Sequence, residues 1–241
     1  MRDDPAPPET IHVWKARLDR LNGSAPWATA CLTAAEHARA ARLHRPEDRR
    51  RWLLGRGVLR HVLALHTEDE PSEIILAAEG GGKPRLESSG STASAWHFNL
   101  SHSRDALVVG VARVPLGVDV ERIRPLAAPS SLARRILSSS EREVFRSLPV
   151  EHRSRALFRA WTRKEAMLKA LGTGLRRPPR SVEVSLRPAA PARVLAVDGD
   201  PGRAAPWTLV EREPWPRHVA VVAVRAPVGG LLEHDVVELL G

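Results

Sequence analysis

The sequence predicts an α+β fold built as two halves in tandem, and two observations carry that reading. Helix-like and strand-like stretches come in the order helices, strands, helices, strands, which is the pattern of two consecutive α+β units. The turn between them, "ARVPLG" around residue 115, is too short to be a flexible linker, so the halves are expected to pack against each other. The boundary there gives an N-terminal half, 1–115, and a C-terminal half, 116–241. A chain of 241 residues is long enough for one large core or two smaller ones. No sequence repeat relates the halves.

The elements follow in order. "TAAEHARAARL" opens with a Thr33-x-x-Glu36 capping box and reads as a short helix. "RPEDRRRWLLGRGVLRHVLALH" starts a long one near Pro46, with Trp52, Leu59, Val62, Leu63 and Leu65 on a broad apolar face. Arg49, Arg50, Arg51, Arg56 and Arg60 crowd its polar face. "EIILAA" suits a short buried strand, and "EGGGKPRL" marks a turn. "WHFNLSHS", "ALVVGVARV" and "LGVDVE" read as three closely spaced strands joined as hairpins. "SSLARRIL" and "SEREVFRSL" are two short helices, and a long helix runs from about 151 to 171, stopped by Gly172 and Gly174. "SVEVSL", "ARVLAVD", "WTLVER" and "HVAVVAVR" are strand-like, and "LLEHDVVELL" has no defined form.

Composition narrows the function classes. Cys31 is the one cysteine, which excludes an intrachain disulfide and a cysteine-built zinc site. No apolar run approaches the ~20 residues of a membrane helix, and the acidic, proline-rich start "MRDDPAPPET" carries no secretory signal, so a cytoplasmic protein is expected. The formal charge is +9, and four of the 37 basic residues are Lys (Lys15, Lys83, Lys164, Lys169). Such an excess attracts polyanions: nucleic acid, a phosphorylated cofactor or an acidic partner protein. An arginine-rich helix and the high charge make nucleic-acid binding the competing reading. No nucleic-acid module is recognisable, and with no Tyr and three Phe there is little for base stacking, so no specific nucleic acid is expected.

Four stretches carry chemistry. In "GVDVE" (117–121) residues two apart share a strand face, so Asp119 and Glu121 lie side by side while Val118 and Val120 face the core. Neighbouring carboxylates repel unless protonated, solvated or bridged by a cation. In "FRAWTRKEAMLKALGTGL" (158–175) Trp161, Glu165 and Lys169 fall four apart on one helical stripe. A plain Glu–Lys surface pair is the simple alternative, but a Trp at the head of the stripe argues for a partly buried wall. Were Glu165 to face Asp119 and Glu121, three carboxylates could hold a hard divalent ion, Mg²⁺ first, beside a substrate phosphate. Lys169 would then neutralise a phosphate oxygen. "GGGKPRL" offers Lys83 to a phosphate without forming a Walker motif. In "FNLSHS" Ser101 and His102 point to opposite faces and no G-x-S-x-G elbow is present, which excludes a hydrolase triad.

In this order, G-K-P, F-N-x-S-H, G-x-D-x-E and W-x-x-K-E-A-x-x-K, the series resembles the 4'-phosphopantetheinyl transferase superfamily, in particular its Sfp-type members. The resemblance runs from about Arg39 to Gly174 and implies two similar α+β halves packed as an intramolecular pseudo-dimer. It implies a Mg²⁺-dependent enzyme, with Mn²⁺ as an alternative. That enzyme would move the 4'-phosphopantetheine group of coenzyme A onto a serine of an acyl or peptidyl carrier protein, releasing adenosine 3',5'-bisphosphate. Acidic carrier domains and coenzyme A would be the partners, with no membrane, and the chain would act as a monomer. Asp119, Glu121 and Glu165 would be the metal ligands of the C-terminal half. Glu165 would be the general base, with Asp119 and Lys169 the other catalytic residues. Lys83, Ser101, His102 and Lys169 would contact the phosphates of coenzyme A or support its pocket, and Gly82 and Pro84 would shape the loop. Arg39, Arg42 and Arg51 are the candidates for the 3'-phosphate; Glu36 stands where a basic residue is expected.

Overall fold

The structure, a computed structural model, describes residues 9–21, 26–78, 84–87, 96–173 and 176–240. The first half runs through strand β1 (Glu9–Arg17), helices α1 (Pro26–Ala30), α2 (Ala34–Ala41) and α3 (Pro46–Thr67), ribbon strands β2 (Ile75–Ala78) and β3 (Pro84–Glu87), and hairpin strands β4 (His97–Ser103) and β5 (Ala106–Ala112). The second half repeats that order. It has strand β6 (Leu116–Arg122), helices α4 (Pro129–Ile136), α5 (Ser139–Ser147) and α6 (Val150–Ala170), ribbon strands β7 (Val182–Val184) and β8 (Val194–Val197), and strands β9 (Thr208–Arg212) and β10 (His218–Val224). Strand β11 (Val228–Asp235) and helix α7 (Val236–Leu240) follow.

The sheets repeat as well. One has the order β11-β1-β5-β4 and the other β6-β10-β9, so β1, β5 and β4 correspond to β6, β10 and β9. The fold is therefore α+β with two similar halves forming a pseudo-dimer in one chain. Three elements differ from the sequence reading. β1, in a stretch left unassigned, is antiparallel to β5. β6 does not extend the β4–β5 hairpin; it pairs with β10 and opens the second sheet. The C-terminal stretch of undefined form is β11, which returns to the first sheet and runs parallel to β1. β2 is also less covered than expected, with Ile75 49% exposed, because it belongs to a two-stranded ribbon with β3.

Local chemistry accounts for the helix starts. Thr33 caps α2 by accepting from the Glu36 amide while Glu36 bonds back to the Thr33 amide, and Ser138 and Glu141 do the same for α5; each box satisfies two otherwise orphaned donors. α3 buries Leu54, Val58, Leu59, Val62 and Leu63. Two assignments on α3 are corrected. Leu65 is 51% exposed, and Arg60 is buried at 2% because it bonds Glu36 and the carbonyls of Pro71 and Ile74.

Three cores result. One lies between α3 and the first sheet, including Val109 and Val111 of β5. Another lies between α6 and the second sheet, including Val221 and Ala223 of β10. The third joins the two sheets through Ile11, Val13, Val108, Val118, Val120 and Val222. Alternate residues of β5 and β10 thus face different cores, which is why both strands are apolar throughout. The layers run helix, sheet, sheet, helix, and the seam between the halves is where β4 meets β6.

Candidate active site

β4 and β6 belong to different sheets, so backbone ladder bonds do not join them. Side chains at alternate positions of β4 do so instead. Asn99 Oδ1 accepts from the Val118 amide at 2.8 Å, Ser101 Oγ donates to Asp119 Oδ1 at 2.8 Å, and Ser103 Oγ donates to Glu121 Oε2 at 2.9 Å. Helix α6 closes over the other face of β6. A Cβ added at Gly117 would lie 2.0 Å from the Ala166 carbonyl oxygen and 2.4 Å from the Ala170 amide nitrogen, so glycine lets the helix backbone rest on the strand. That approach brings Lys169 Nζ to 2.7 Å from Asp119 Oδ1 and 2.9 Å from the Val118 carbonyl. The indole of Trp161 lies close enough to Glu121 to favour its ionised form.

The electrostatics are those of a crowded acidic centre. Burial, and then the charge of Asp119, pushes Glu165 up to about 7. Burial and Asp119 also raise Glu121. Asp119 is raised by burial against the opposing pull of Lys169 and Ser101. The three carboxylates are close enough to feel one another. Two of their buried oxygens, Asp119 Oδ2 and Glu165 Oε1, have no hydrogen-bond partner among the described residues, and such atoms are costly unless a cation or proton meets them. Among the described residues no group of three or more His, Cys, Asp or Glu side chains is arranged to hold a metal ion by itself. The donor set suits an ion that draws on a few carboxylates and takes its other ligands from water and phosphate, as Mg²⁺ does.

A cavity of about 430 Å³ opens in the first half, lined by Arg39, Arg51, Trp52, Arg56, Pro84 and His102 among others. His102 connects the two regions. It lies on the opposite face of β4 from Ser101 and lines the cavity, and burial, then Lys169 and Arg51, hold its pKa below the usual imidazole value.

The predicted residues fall into three groups. Asp119, Glu121, Glu165, Lys169 and Ser101 come together at the seam. Arg39, Arg51, His102 and Pro84 line the cavity, whereas Arg42 is exposed at the end of α2 and lines none of it. Lys83 and Gly82 lie outside the described residues. Sequence reasoning passed over Asn99 and Ser103, although the alternation N-x-S-x-S places them on one face of β4. It assigned Arg56 only to a polar surface, yet Arg56 lines the cavity and bonds Glu36 Oε1 at 2.5 Å. Glu36 stands where a cation was expected because it is the shared partner of Arg56 and Arg60.

The arginines of α3 are engaged internally. Arg49 and Arg50 bond backbone carbonyls, Arg51 bonds Asp105 and Asp48, and Arg56 and Arg60 bond Glu36. This weakens the nucleic-acid reading. No helix among the described residues is long and apolar enough to cross a membrane.

Comparison with known proteins agrees with this architecture. A family model described as 4'-phosphopantetheinyl transferase superfamily matches residues 115–223, and one described as 4'-phosphopantetheinyl transferase, N-terminal, matches residues 20–114. The chain is 37% identical over 217 residues to the 4'-phosphopantetheinyl transferase HetI of Nostoc sp., covering 90% of this chain and 88% of that one. It is 37% identical over 128 residues to the 4'-phosphopantetheinyl transferase psf-1 of Bacillus pumilus, covering 53% and 52%. To the 4'-phosphopantetheinyl transferase Sfp of Bacillus subtilis it is 26% identical over 155 residues, covering 64% and 66%. With a relative this similar along nearly its whole length and both halves matched by family models, the chain belongs to the 4'-phosphopantetheinyl transferase superfamily and is an enzyme of that class.

Proposed function

We propose that this enzyme takes coenzyme A as donor and transfers its 4'-phosphopantetheine group to the serine hydroxyl of an acyl or peptidyl carrier domain. The observation that carries the reading is the acidic seam, with the unpartnered oxygens of Asp119 and Glu165, set beside a cavity lined by Arg39, Arg51, Arg56 and His102. In the reaction the serine oxygen forms a bond to the phosphorus that bears pantetheine. The bond from that phosphorus to the bridging oxygen breaks, and adenosine 3',5'-bisphosphate leaves.

Asp119, Glu121 and Glu165 would hold Mg²⁺, or Mn²⁺ in its place. When bound, the ion supplies charge neutralisation for the pyrophosphate and the leaving oxygens. Glu165 accepts the serine proton, directly or through a water, because a carboxylate at the metal site can reach the attacking hydroxyl. Lys169 anchors Asp119 and the Val118 carbonyl and presents its one remaining N–H bond toward the phosphates. The cavity arginines and Lys83 bind phosphate, with Arg39, Arg51 and Arg56 the candidates for the 3'-phosphate. The +9 chain draws in an acidic carrier domain. Catalysis is mostly positioning and electrostatic stabilisation. The protein acts in the cytoplasm as a monomer.

The test is the intact mass of apo carrier protein after incubation with the enzyme, coenzyme A and Mg²⁺, with an EDTA control. A metal-dependent gain of one phosphopantetheine group is expected, and Asp119→Ala should abolish it while leaving the unfolding midpoint near that of the wild type. Near-full transfer by the Ala variant would remove Asp119 from the metal site.

A further inference from the structure

We infer that Ser103 is a positioning residue for transfer, holding the Glu121 carboxylate in the orientation from which it meets the divalent cation. The inference rests on the reading of Glu121 as a metal ligand.

Three side chains bridge β4 to β6, and they do different things. Asn99 gives its carbonyl oxygen to the Val118 amide and so satisfies a buried backbone donor; its role is structural. Ser101 donates to Asp119, which Lys169 also holds. Ser103 has a double role. Its Oγ accepts from the Arg122 amide at 3.2 Å and donates to Glu121 Oε2 at 2.9 Å. With the amide occupying a lone pair of that oxygen, the hydroxyl proton is directed at the carboxylate, so the direction of the bond is fixed by the backbone of the residue next to Glu121.

Glu121 is then held from the first half of the chain: Ser103 comes from the last position of β4, while Trp161 of α6 lies near the carboxylate on the other side. A long, half-buried carboxylate side chain has several rotamers open to it. A donor whose own direction is fixed selects one of them, and groups that orient a metal-binding carboxylate this way typically set metal affinity by about 10–100-fold. The bond Ser103 makes to the Arg122 backbone does not carry the same weight. Arg122 is exposed, so water replaces that partner at small cost. Loss of the hydroxyl should therefore register in metal binding far more than in stability.

Mn²⁺ binding to the enzyme saturated with coenzyme A, followed by the electron paramagnetic resonance signal of free Mn²⁺, reads this without turnover. Ser103→Ala is expected to weaken Mn²⁺ about tenfold and to raise the KM for Mg²⁺ while metal-free coenzyme A binding and the unfolding midpoint stay unchanged. The pair Ser103→Thr and Ser103→Val, alike in shape, isolates the hydroxyl even if the alanine variant folds poorly: Thr should bind Mn²⁺ as serine does, and Val should not. Glu121→Gln supplies the reference. If it weakens Mn²⁺ while Thr and Val bind alike, the role given to Ser103 is wrong and the metal role of Glu121 stands. If Glu121→Gln itself binds Mn²⁺ like the wild type, the metal reading of Glu121 falls and takes the role of Ser103 with it.

Discussion

The two halves build the same clasp and place opposite chemistry next to it. In the first, the capping-box Glu36 of α2 pairs with Arg60, which also donates to the carbonyls of Pro71 and Ile74 ahead of β2. In the second, the capping-box Glu141 of α5 pairs with Lys164, which also donates to the carbonyls of Pro179 and Val182 at the start of β7. Arg60 and Lys164 are each the fifteenth residue of their helix, counted from Pro46 and from Val150. One residue further on stands His61 in the first half and Glu165 in the second; five further on stand Leu65 and Lys169. Where β6 meets α6 there is a carboxylate centre. Where β1 meets α3 there is a packed set of rings, His12, Trp14, His66 and His234, with Trp96 against His66. The duplicated clasp fixes the long helix and the ribbon in both halves; the residues beside it are free to differ, and only one half became acidic.

The largest effect should come from the clasps. Lys164→Met leaves Glu141 buried with no cation and is expected to cost about 3–5 kcal/mol. Arg60→Met should cost less, because Arg56 still pairs with Glu36 at 2.5 Å; adding Arg56→Met should bring the first half up to the second. Urea unfolding of the three variants tests this. Equal costs for Arg60→Met and Lys164→Met would mean that Arg56 contributes nothing and that the clasps are interchangeable.

The acid-base contrast comes next. Glu165 is raised in the fold from 4.5 to about 7, so its penalty is absent below pH 4.5, grows as pH rises and is complete above about 7. Glu165→Gln should therefore stabilise the metal-free enzyme at pH 8 by on the order of 3 kcal/mol, with the gain vanishing toward pH 4.5. His66 is lowered by burial, and then by His12, from 6.5 to about 4. The unfolded chain takes that proton first, so stability is complete above pH 6.5 and falls, again by on the order of 3 kcal/mol, down to about 4. His66→Gln should flatten that acid limb and leave the alkaline one alone. Unfolding free energies across pH in EDTA would reveal the two slopes, and a Glu165→Gln gain independent of pH would break the contrast.

Much of this was legible from local pattern, and what was not depended on distant partners. The long helices announce themselves by periodicity and the Thr33 box by its spacing, and the order of the four motifs pointed to the family. β1 escaped because "TIHVWKAR" mixes His, Lys and Trp into its alternation; it is a strand because β5 and β11 flank it, and β11 lies at the other end of the chain. Arg60 looked like surface charge because its burial depends on Glu36, 24 residues away. Asn99 and Ser103 shared a visible face with Ser101, but nothing local says that β6 lies opposite.

The caps offer the smallest and sharpest comparison. Thr33→Ala and Ser138→Ala each remove one cap acceptor, for about 1 kcal/mol, while Glu36 and Glu141 keep their buried cations. The second should cost more. Ser138 Oγ lies 2.9 Å from Ser140 Oγ, which donates to Glu183 of β7 at 2.7 Å, and Glu141 itself accepts from the Val184 amide of that strand. The α5 cap is thus tied to the ribbon by side chains. Among the described residues the Thr33 side chain makes its hydrogen bonds only to Glu36. Thermal unfolding of the two variants, with amide hydrogen exchange over 182–184, separates them. Greater loss and faster exchange in Ser138→Ala would show that the second half is stitched more tightly around the helix that carries Glu165 and Lys169; equal losses would mean that the hydroxyl chain adds nothing to the cap.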